Sequence, residues 1–501
     1  MTSHIRGRSG SGGGPDFRPP RSPIDEKHGR RTRTALIVLA VLVLVAAGLT
    51  VYQFALRPTA RTSSLVLCPG STPRFEVFRN HGACVGVTDG SYVFSPGLGP
   101  IEHAIATEDA KVVKLKHYVT VALLTPMTAS PSSAVSLTRI EHELTGAYAG
   151  QLAANGSNLA QASPAINLVL ANEGTSQELA YGQVTSLLKH MKAAPTNLRA
   201  VIGMGVSVAP TIGGAKALGN AGIPMIGSVI TADQLDWSRH KGLARVVPDV
   251  AEEITTLKQY FQAHGGMGSA FMVEDDDTSD FYTLDLKNDM LAAFGKHINS
   301  EARYGPDTSL PNVFRIISDN ICPAGPKKPP TVLYAGREAA LPQFIKDLEV
   351  VAPNCGNKAV TVVTGADATG LDPALTTNQP RQGHVTVICT DIENPNVSAV
   401  TSDVRQIFAG IPGGPASLAD SWTIASYNAM TAAAIAISDG AIGAPAGIPK
   451  LSSVWDIIPN LNHSSQVEGA TGPFSIGPDG NVINPTIPVL EITNGTEHQL
   501  Q

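Results

Sequence analysis

Two hydroxyl residues close the apolar runs of RAVIGMGVSVAPTIGGAKALGNAGIPMIGSVITADQL, residues 199–235. The first run, Ala200 to Gly203, breaks into a turn in which Gly203 and Gly205 free the backbone to bend sharply. Ser207 follows, just ahead of a small-residue helical pattern from Thr211 to Asn220. The second run, Ile223 to Gly227, leads to Ser228 and Thr231. A hydroxyl beside the unpaired N–H groups of a helix start forms an anion site without any positive side chain. Thr231 adds a second hydroxyl if the two strands are neighbours, and the set suits a carboxylate.

Other readings of the same residues stay open. GMGVSV supplies only G-x-G of a dinucleotide loop and lacks the third glycine. GVSVA approaches the G-x-S-x-G nucleophile elbow, with Ala209 in the last place; a hydrolase would then need a later acid and a histidine such as His463. A serine that merely caps a helix is the plain alternative. EDDDTSD, Glu274 to Asp280, lacks the glycine and glutamate of an EF-hand, and IEHE, Ile140 to Glu143, lacks the second histidine of a metalloprotease helix. Both are read as loop or helix surface, and no cofactor or metal is expected.

The elements that must position these groups repeat in kind. From His117 onward, runs such as YVTVALLTP, AINLVLANEG, LRAVIGMG, GSAFMVEDDD, PTVLYAGRE, AVTVVTGAD and HVTVICTD read as strands apolar on both faces. They alternate with amphipathic helices, which implies parallel sheets covered on both sides. The units are too many for one open sheet, so the expected fold is α/β: two doubly wound parallel-sheet lobes joined by a hinge, preceded by a transmembrane helix. Ligands in such folds bind beyond the carboxyl ends of the strands.

Residues 35–56, ALIVLAVLVLVAAGLTVYQFAL, carry no charge. At about 1.5 Å per residue they reach roughly 33 Å, enough to cross a hydrocarbon core. Arg30, Arg31 and Arg33 precede the run, which places residues 1–33 in the cytoplasm and the main body outside a cell membrane crossed once. No A-x-A site follows, and no cysteine follows VAAG, so an uncleaved anchor over 34–57 is expected. The tail holds eight Lys/Arg against three acids, leaving −11 on the rest of a chain whose net charge is −6. An acidic, aromatic-poor body excludes a nucleic-acid partner.

Five cysteines lie beyond the anchor, where disulfides are the default. Cys68 and Cys84 flank a short stretch and make a small loop. Cys322 and Cys355 each precede a strand, TVLYAG and KAVTVV; in adjacent parallel strands both fall at one sheet edge, while Cys389 ends HVTVIC at the other. This geometry favours Cys322–Cys355 and a free Cys389. Between anchor and body, residues 58–116 form a prelude with a hairpin expected at Asp89–Gly90 and a helix over about Gly99–Lys114.

In their order, YVTVALLTPMT, VIGMGVSVAPTIGGAKALGNAGIPMIGSVITADQL, FMVEDDDTSDFYTLDLKNDMLAAF, VTVVTGADATG, SYNAMTAAAIAI and GATGPFSIGPDGNV resemble the leucine/isoleucine/valine-binding-like members of the type 1 periplasmic-binding family over residues 117–493. The resemblance implies lobe 1 from 117–248 plus 392–482 and lobe 2 from 249–391 plus 483–495. It implies that Ser207, Thr231 and the backbone near Val229 hold an amino acid's carboxylate, that Asp367 meets its ammonium and that Tyr282 closes over it. Thr128 is a further pocket candidate. Arg337 departs from the aromatic often found there, and implies a more acidic or larger ligand if it faces the cleft; otherwise it is a solvated charge. The expected function is capture of a small zwitterion for an ABC-type importer and its permease, with no catalysis. A membrane-tethered sensor acting on a signalling partner is the alternative, and a Ser207 hydrolase a third.

Overall fold

The computed structural model describes residues 66–501 apart from 73–74, 116, 129, 131–132, 134, 157–162, 176–179, 307, 324–329, 356–358, 373–384, 395–397 and 463–464. The expected anchor at 35–56 and His463 lie outside the described residues. Among the described residues no helix is long and apolar enough to cross a membrane.

Lobe 1 is built on a seven-stranded sheet ordered β1-β2-β4-β3-β5-β6-β7. Its strands are β1 (Val77–Asn80), β2 (Ala83–Thr88), β3 (Tyr118–Thr125), β4 (Ala165–Asn172), β5 (Leu198–Gly203), β6 (Met225–Gly227) and β7 (Leu243–Arg245). From β3 to β7 neighbours run parallel, and β2 joins β4 antiparallel, so the sheet is mixed. Helices α1 (Gly99–Val112), α2 (Leu137–Gly156), α3 (Tyr181–His190) and α4 (Ala209–Asn220) connect them.

Lobe 2 carries α5 (Val250–Ala263), β8 (Ala270–Asp275), α6 (Phe281–Phe294), β9 (Ile298–Tyr304), α7 (Leu310–Ile321), β10 (Thr331–Ala335), α8 (Leu341–Val351), β11 (Val360–Thr364) and β12 (Val385–Thr390). The chain then returns to lobe 1 as α9 (Ser402–Ala409), α10 (Gly414–Ser417), α11 (Ser421–Ala441), α12 (Leu451–Ile457) and the small hairpin β13 (Val467–Gly469) and β14 (Gly472–Phe474). It ends in lobe 2 with β15 (Val489–Thr493) and β16 (Thr496–Gln499), which complete a second mixed sheet ordered β16-β15-β12-β11-β10-β8-β9.

The apolar strands follow from two-sided burial. In β3, Val119, Val121 and Leu123 pack into the core beneath α1, α2 and α11, while Ala122 and Leu124 pack into the opposite core with Val184 and Leu218. Likewise Val332 and Tyr334 of β10 face one core of lobe 2, and Leu333 and Ala335 the other. Successive side chains of a strand point to opposite faces, so a sheet covered twice demands an unbroken apolar run. Helices α2 and α11 approach closely because Gly146 has no side chain; a Cβ there would stand 2.1 Å from the Thr423 carbonyl oxygen.

The prelude is part of lobe 1. Strands β1 and β2 extend its sheet, and Leu98, Ile101 and Ile105 enter its core. The hairpin turn falls at His81–Gly82, both at positive φ (44° and 88°), rather than at Asp89–Gly90. That pair of conformations is the one a two-residue hairpin requires. Asp89 instead accepts a hydrogen bond from the Ser91 amide in the turn leading toward α1. Disulfides join Cys68 to Cys84 and Cys322 to Cys355, and Cys389 is free and buried.

Candidate functional site

The carboxyl end of β5 is bent by three successive residues at positive φ: Gly203 (88°), Met204 (72°) and Gly205 (66°). A left-handed methionine between two glycines is an uncommon conformation for a side-chain-bearing residue. Two hydrogen bonds hold it: the Tyr181 hydroxyl donates to the Met204 carbonyl at 2.6 Å, and the Gly205 amide donates to the Leu124 carbonyl at 2.9 Å. Ser207 emerges from this bend buried. Its hydroxyl accepts from the Ala232 amide at 3.3 Å, tying the β5 loop to the loop after β6.

Helix α4 begins at Ala209, with Val208 at its cap position, so the Ser207 hydroxyl does not cap it. The second lobe meets this helix start directly. The Ala209 amide donates to the Ser279 carbonyl at 2.9 Å, the Phe281 amide donates to the Ser207 carbonyl at 2.9 Å, and Val208 pairs with Asp280 as an isolated antiparallel bridge. Backbone bonds therefore stitch the lobes together at the place the sequence marks as an anion cradle.

Thr231, Val229, Tyr282, Arg337 and Asp367 surround one interlobe cavity of about 20 Å³, together with Val206 and Trp422. That is room for about one water molecule, which needs roughly 10–15 Å³ of such space. Ser207 is next to Val206 but does not line it, and Thr128 lies elsewhere. Thr128 lines a larger cavity of about 460 Å³ with Ser136, Ile140, Glu338 and Pro342, and its hydroxyl accepts from Asn172 at 2.9 Å.

Arg337 is neither a solvated charge nor free. Its Nε and Nη2 donate to the two carboxylate oxygens of Asp280 at 2.7 and 2.9 Å, the paired geometry that fits a guanidinium to a carboxylate. Its guanidinium lies 4.5 Å from the Tyr282 ring centre, and Nη1 is 3.8 Å from Asp367. The Asp367 carboxylate also accepts from the Glu338 amide at 2.9 Å, and the Asp367 amide donates to the Tyr282 hydroxyl at 3.2 Å. Burial drives the Tyr282 phenol well above its ordinary pKa, so it stays protonated. Beneath them Glu253 accepts from the Ala366 amide and the Thr390 hydroxyl, both at 2.8 Å, and burial pushes its carboxyl up to about 8. Phe281, adjacent to Tyr282, packs instead against the core of lobe 1.

Sequence reasoning passed over several groups at this site. Arg139 of α2 is buried, donates to the Thr369 hydroxyl at 2.5 Å, lies 3.4 Å from Glu338 and sits 5.2 Å from the Trp422 ring centre. IEHE is not helix surface. Glu143 is fully buried and accepts from the hydroxyls of Thr125 and Ser228, each at 2.7 Å, with burial lifting its carboxyl to about 7. Within EDDDTSD, Glu274 is also buried, paired with Lys287 and Arg303. Among the described residues no group of His, Cys, Asp and Glu is arranged to hold a metal ion.

No protein-family model matches the chain, and no curated protein matches it. Solved structures do. An ABC transporter substrate-binding protein from Desulfitobacterium hafniense in complex with leucine superposes with a TM-score of 0.54 at 18% identity, over 76% of this chain and 100% of that one. The branched-chain amino acid transporter substrate-binding protein of Streptococcus pneumoniae, in complex with isoleucine, gives 0.56 at 14% identity, over 76% and 99%. A solute-binding protein of an ABC transporter from R. palustris, in complex with benzoate, gives 0.54 at 15% identity, over 76% and 95%. Two mixed parallel-sheet lobes, linked in this order and matched over nearly the full length of those proteins, give this chain the type 1 periplasmic-binding fold.

Proposed function

We propose that this protein is an extracellular solute-binding protein that closes its two lobes on a small carboxylate-bearing solute, amino acids first, without catalysing a reaction. The observation that carries this reading is the convergence of Thr231 and Val229 from lobe 1 with Tyr282, Arg337 and Asp367 from lobe 2 on one interlobe cavity. Proteins of the same fold were solved with leucine, isoleucine and benzoate, ligands that share a carboxylate. The Thr231 hydroxyl, in the loop after β6, is a donor that suits that group. In our reading the uncharged run 35–56 tethers the protein to the cell membrane, and the closed form delivers solute to an ABC-type permease.

A second reading of the ligand comes from Asp367. Its carboxylate accepts from the Glu338 amide and lies 3.8 Å from Arg337 Nη1, so part of its bonding capacity is already taken without a ligand ammonium. This favours a carboxylate lacking an α-amino group, such as an aromatic acid. Calorimetry on the full-length protein in detergent, with leucine, glutamate and benzoate as probes, tests both. Saturable heat with an amino acid, lost at least tenfold in Thr231→Val and Asp367→Asn, supports the zwitterion. Benzoate binding that survives Asp367→Asn but not Thr231→Val supports the second reading. Absence of binding by all three overturns carboxylate capture.

A further inference from the structure

The three chain crossings between the lobes all line one cavity of about 290 Å³. Val246 comes from the crossing that follows β7, Ile392 and Glu393 from the one that follows β12, and Ile483 and Pro485 from the one that precedes β15. The last two crossings are also bonded to each other, the Asp391 amide donating to the Pro488 carbonyl at 3.0 Å. Asn484, between Ile483 and Pro485, holds a left-handed backbone at φ 50°, and Ile483 is 43% exposed. Apolar surface is thus offered at a hinge, and among the described residues Ile392 alone is shared with the interlobe cavity at Thr231.

The polar chemistry of the cavity is one-sided. Among the described residues, Glu393 is the only ionisable one lining it, and no cation does. The carboxylate accepts from the Asn428 amide nitrogen at 2.7 Å. Asn428 is itself fixed, its oxygen accepting from the Ala470 amide at 2.9 Å. Burial raises the Glu393 carboxyl to about 7, the mark of an acid without a counter-charge. The other walls, Pro473 and Phe474 of the β13–β14 hairpin among them, are apolar or neutral.

We propose that this hinge cavity is a second small-molecule site, separate from the cleft, which takes a primary amine on a compact apolar body. The ammonium would pair with Glu393 while the body fills the space between Phe474 and Ile483. Apolar walls at Val246, Phe474 and Ile483 alternate with neutral polar ones at Asn394, Thr471 and Thr486 around the one placed charge, and this volume is at the small end of the range for small-ligand sites. An occupant touches every segment that must rotate when the lobes move. It therefore binds different hinge angles with different affinity and biases closure.

The test uses benzylamine as probe, benzyl alcohol as its neutral counterpart, and the full-length protein in detergent. Calorimetry should show saturable benzylamine binding and at least tenfold weaker benzyl alcohol binding. Glu393→Gln, which removes the charge, and Ala399→Trp, which fills the cavity from its rim, should each weaken benzylamine at least tenfold while the melting temperature stays near that of the parent. No saturable benzylamine binding, or binding that survives either substitution, overturns the proposal. Because the readout uses no cleft solute, its failure and failure of the solute-binding reading are separate results.

Discussion

Arg139 of lobe 1 and Glu338 of lobe 2 meet across the cleft at 3.4 Å, and the arginine is held between that carboxylate and the Trp422 ring. Burial lifts the Glu338 carboxyl to about 7 even though Arg139 pulls it down. Removing one partner of a buried pair leaves the other charge unpaired and costs about 3–5 kcal/mol, whereas replacing both by apolar groups often costs little. Arg139→Met should therefore lower the urea-unfolding free energy by about 3 kcal/mol. Arg139→Met with Glu338→Leu should recover most of that loss. Equal destabilisation by the single and double variants would show that the pair contributes nothing by itself.

A second interlobe contact is made of acids. The Asp233 amide in lobe 1 donates to Asp285 of α6 at 2.9 Å, and Asp289 one turn further along α6 faces the same Asp233. Asp249 and Glu252 lie close by, with Arg239 and the buried Arg245 as the cations. Burial and the neighbouring carboxylates raise Asp285 to about 6 and Asp289 to about 7. The folded protein then binds more protons than the unfolded chain between about pH 4 and pH 7, so stability falls as pH rises through that window. Melting temperature should be higher at pH 5 than at pH 8. Asp289→Asn should raise it by about 2 °C at pH 8 and leave pH 5 unchanged.

The Cys322–Cys355 disulfide closes 33 residues of sequence separation, spanning β10 and α8. Chain-entropy arithmetic for a loop of that length gives about 3–4 kcal/mol. Replacing both cysteines by alanine should lower the unfolding free energy by about that amount. The same change at Cys68 and Cys84, with a separation of 16, should cost less. Thiol titration of the unfolded, unreduced protein should find one reactive group, from Cys389.

Two-sided strands announce themselves, which is why β3, β4, β5, β10, β11 and β12 were legible as apolar runs. Edge strand β9, INSEARY, was not: most of its side chains are exposed or half-buried, and its pattern carries no apolar run. The same holds for the hairpin at His81–Gly82, where histidine in a left-handed conformation hid the turn while Asp89–Gly90 advertised one. At the site, Thr231 was readable from type and position, whereas Asp367 and Tyr282 came from the family resemblance. Arg139, Asp280 and Trp422 were not, because they meet the cleft only when two sequence-distant lobes are brought together. Their partners lie tens to hundreds of residues away, and periodicity carries no information at that range.

The bend at Gly205 puts the whole loop before Ser207 to a direct test. At φ 66° its backbone is one that side chains rarely adopt, and a Cβ there would stand 2.0 Å from Glu173 Oε1 and 2.5 Å from the Tyr181 hydroxyl oxygen. Neither neighbour has room to yield, since both are buried, Glu173 fully. The Tyr181 hydroxyl is also the group that holds the Met204 carbonyl. Gly205→Ala should cost at least about 2 kcal/mol, from backbone strain of about 1 kcal/mol or more with overpacking added. Gly213→Ala on α4, whose added Cβ meets nothing within 4 Å, should be neutral or slightly stabilising. Urea unfolding of the two variants side by side measures the difference. Equal stability would show that the left-handed run ending β5 is not the conformation of this loop in solution, and the placement of Ser207 and Thr231 would fall with it.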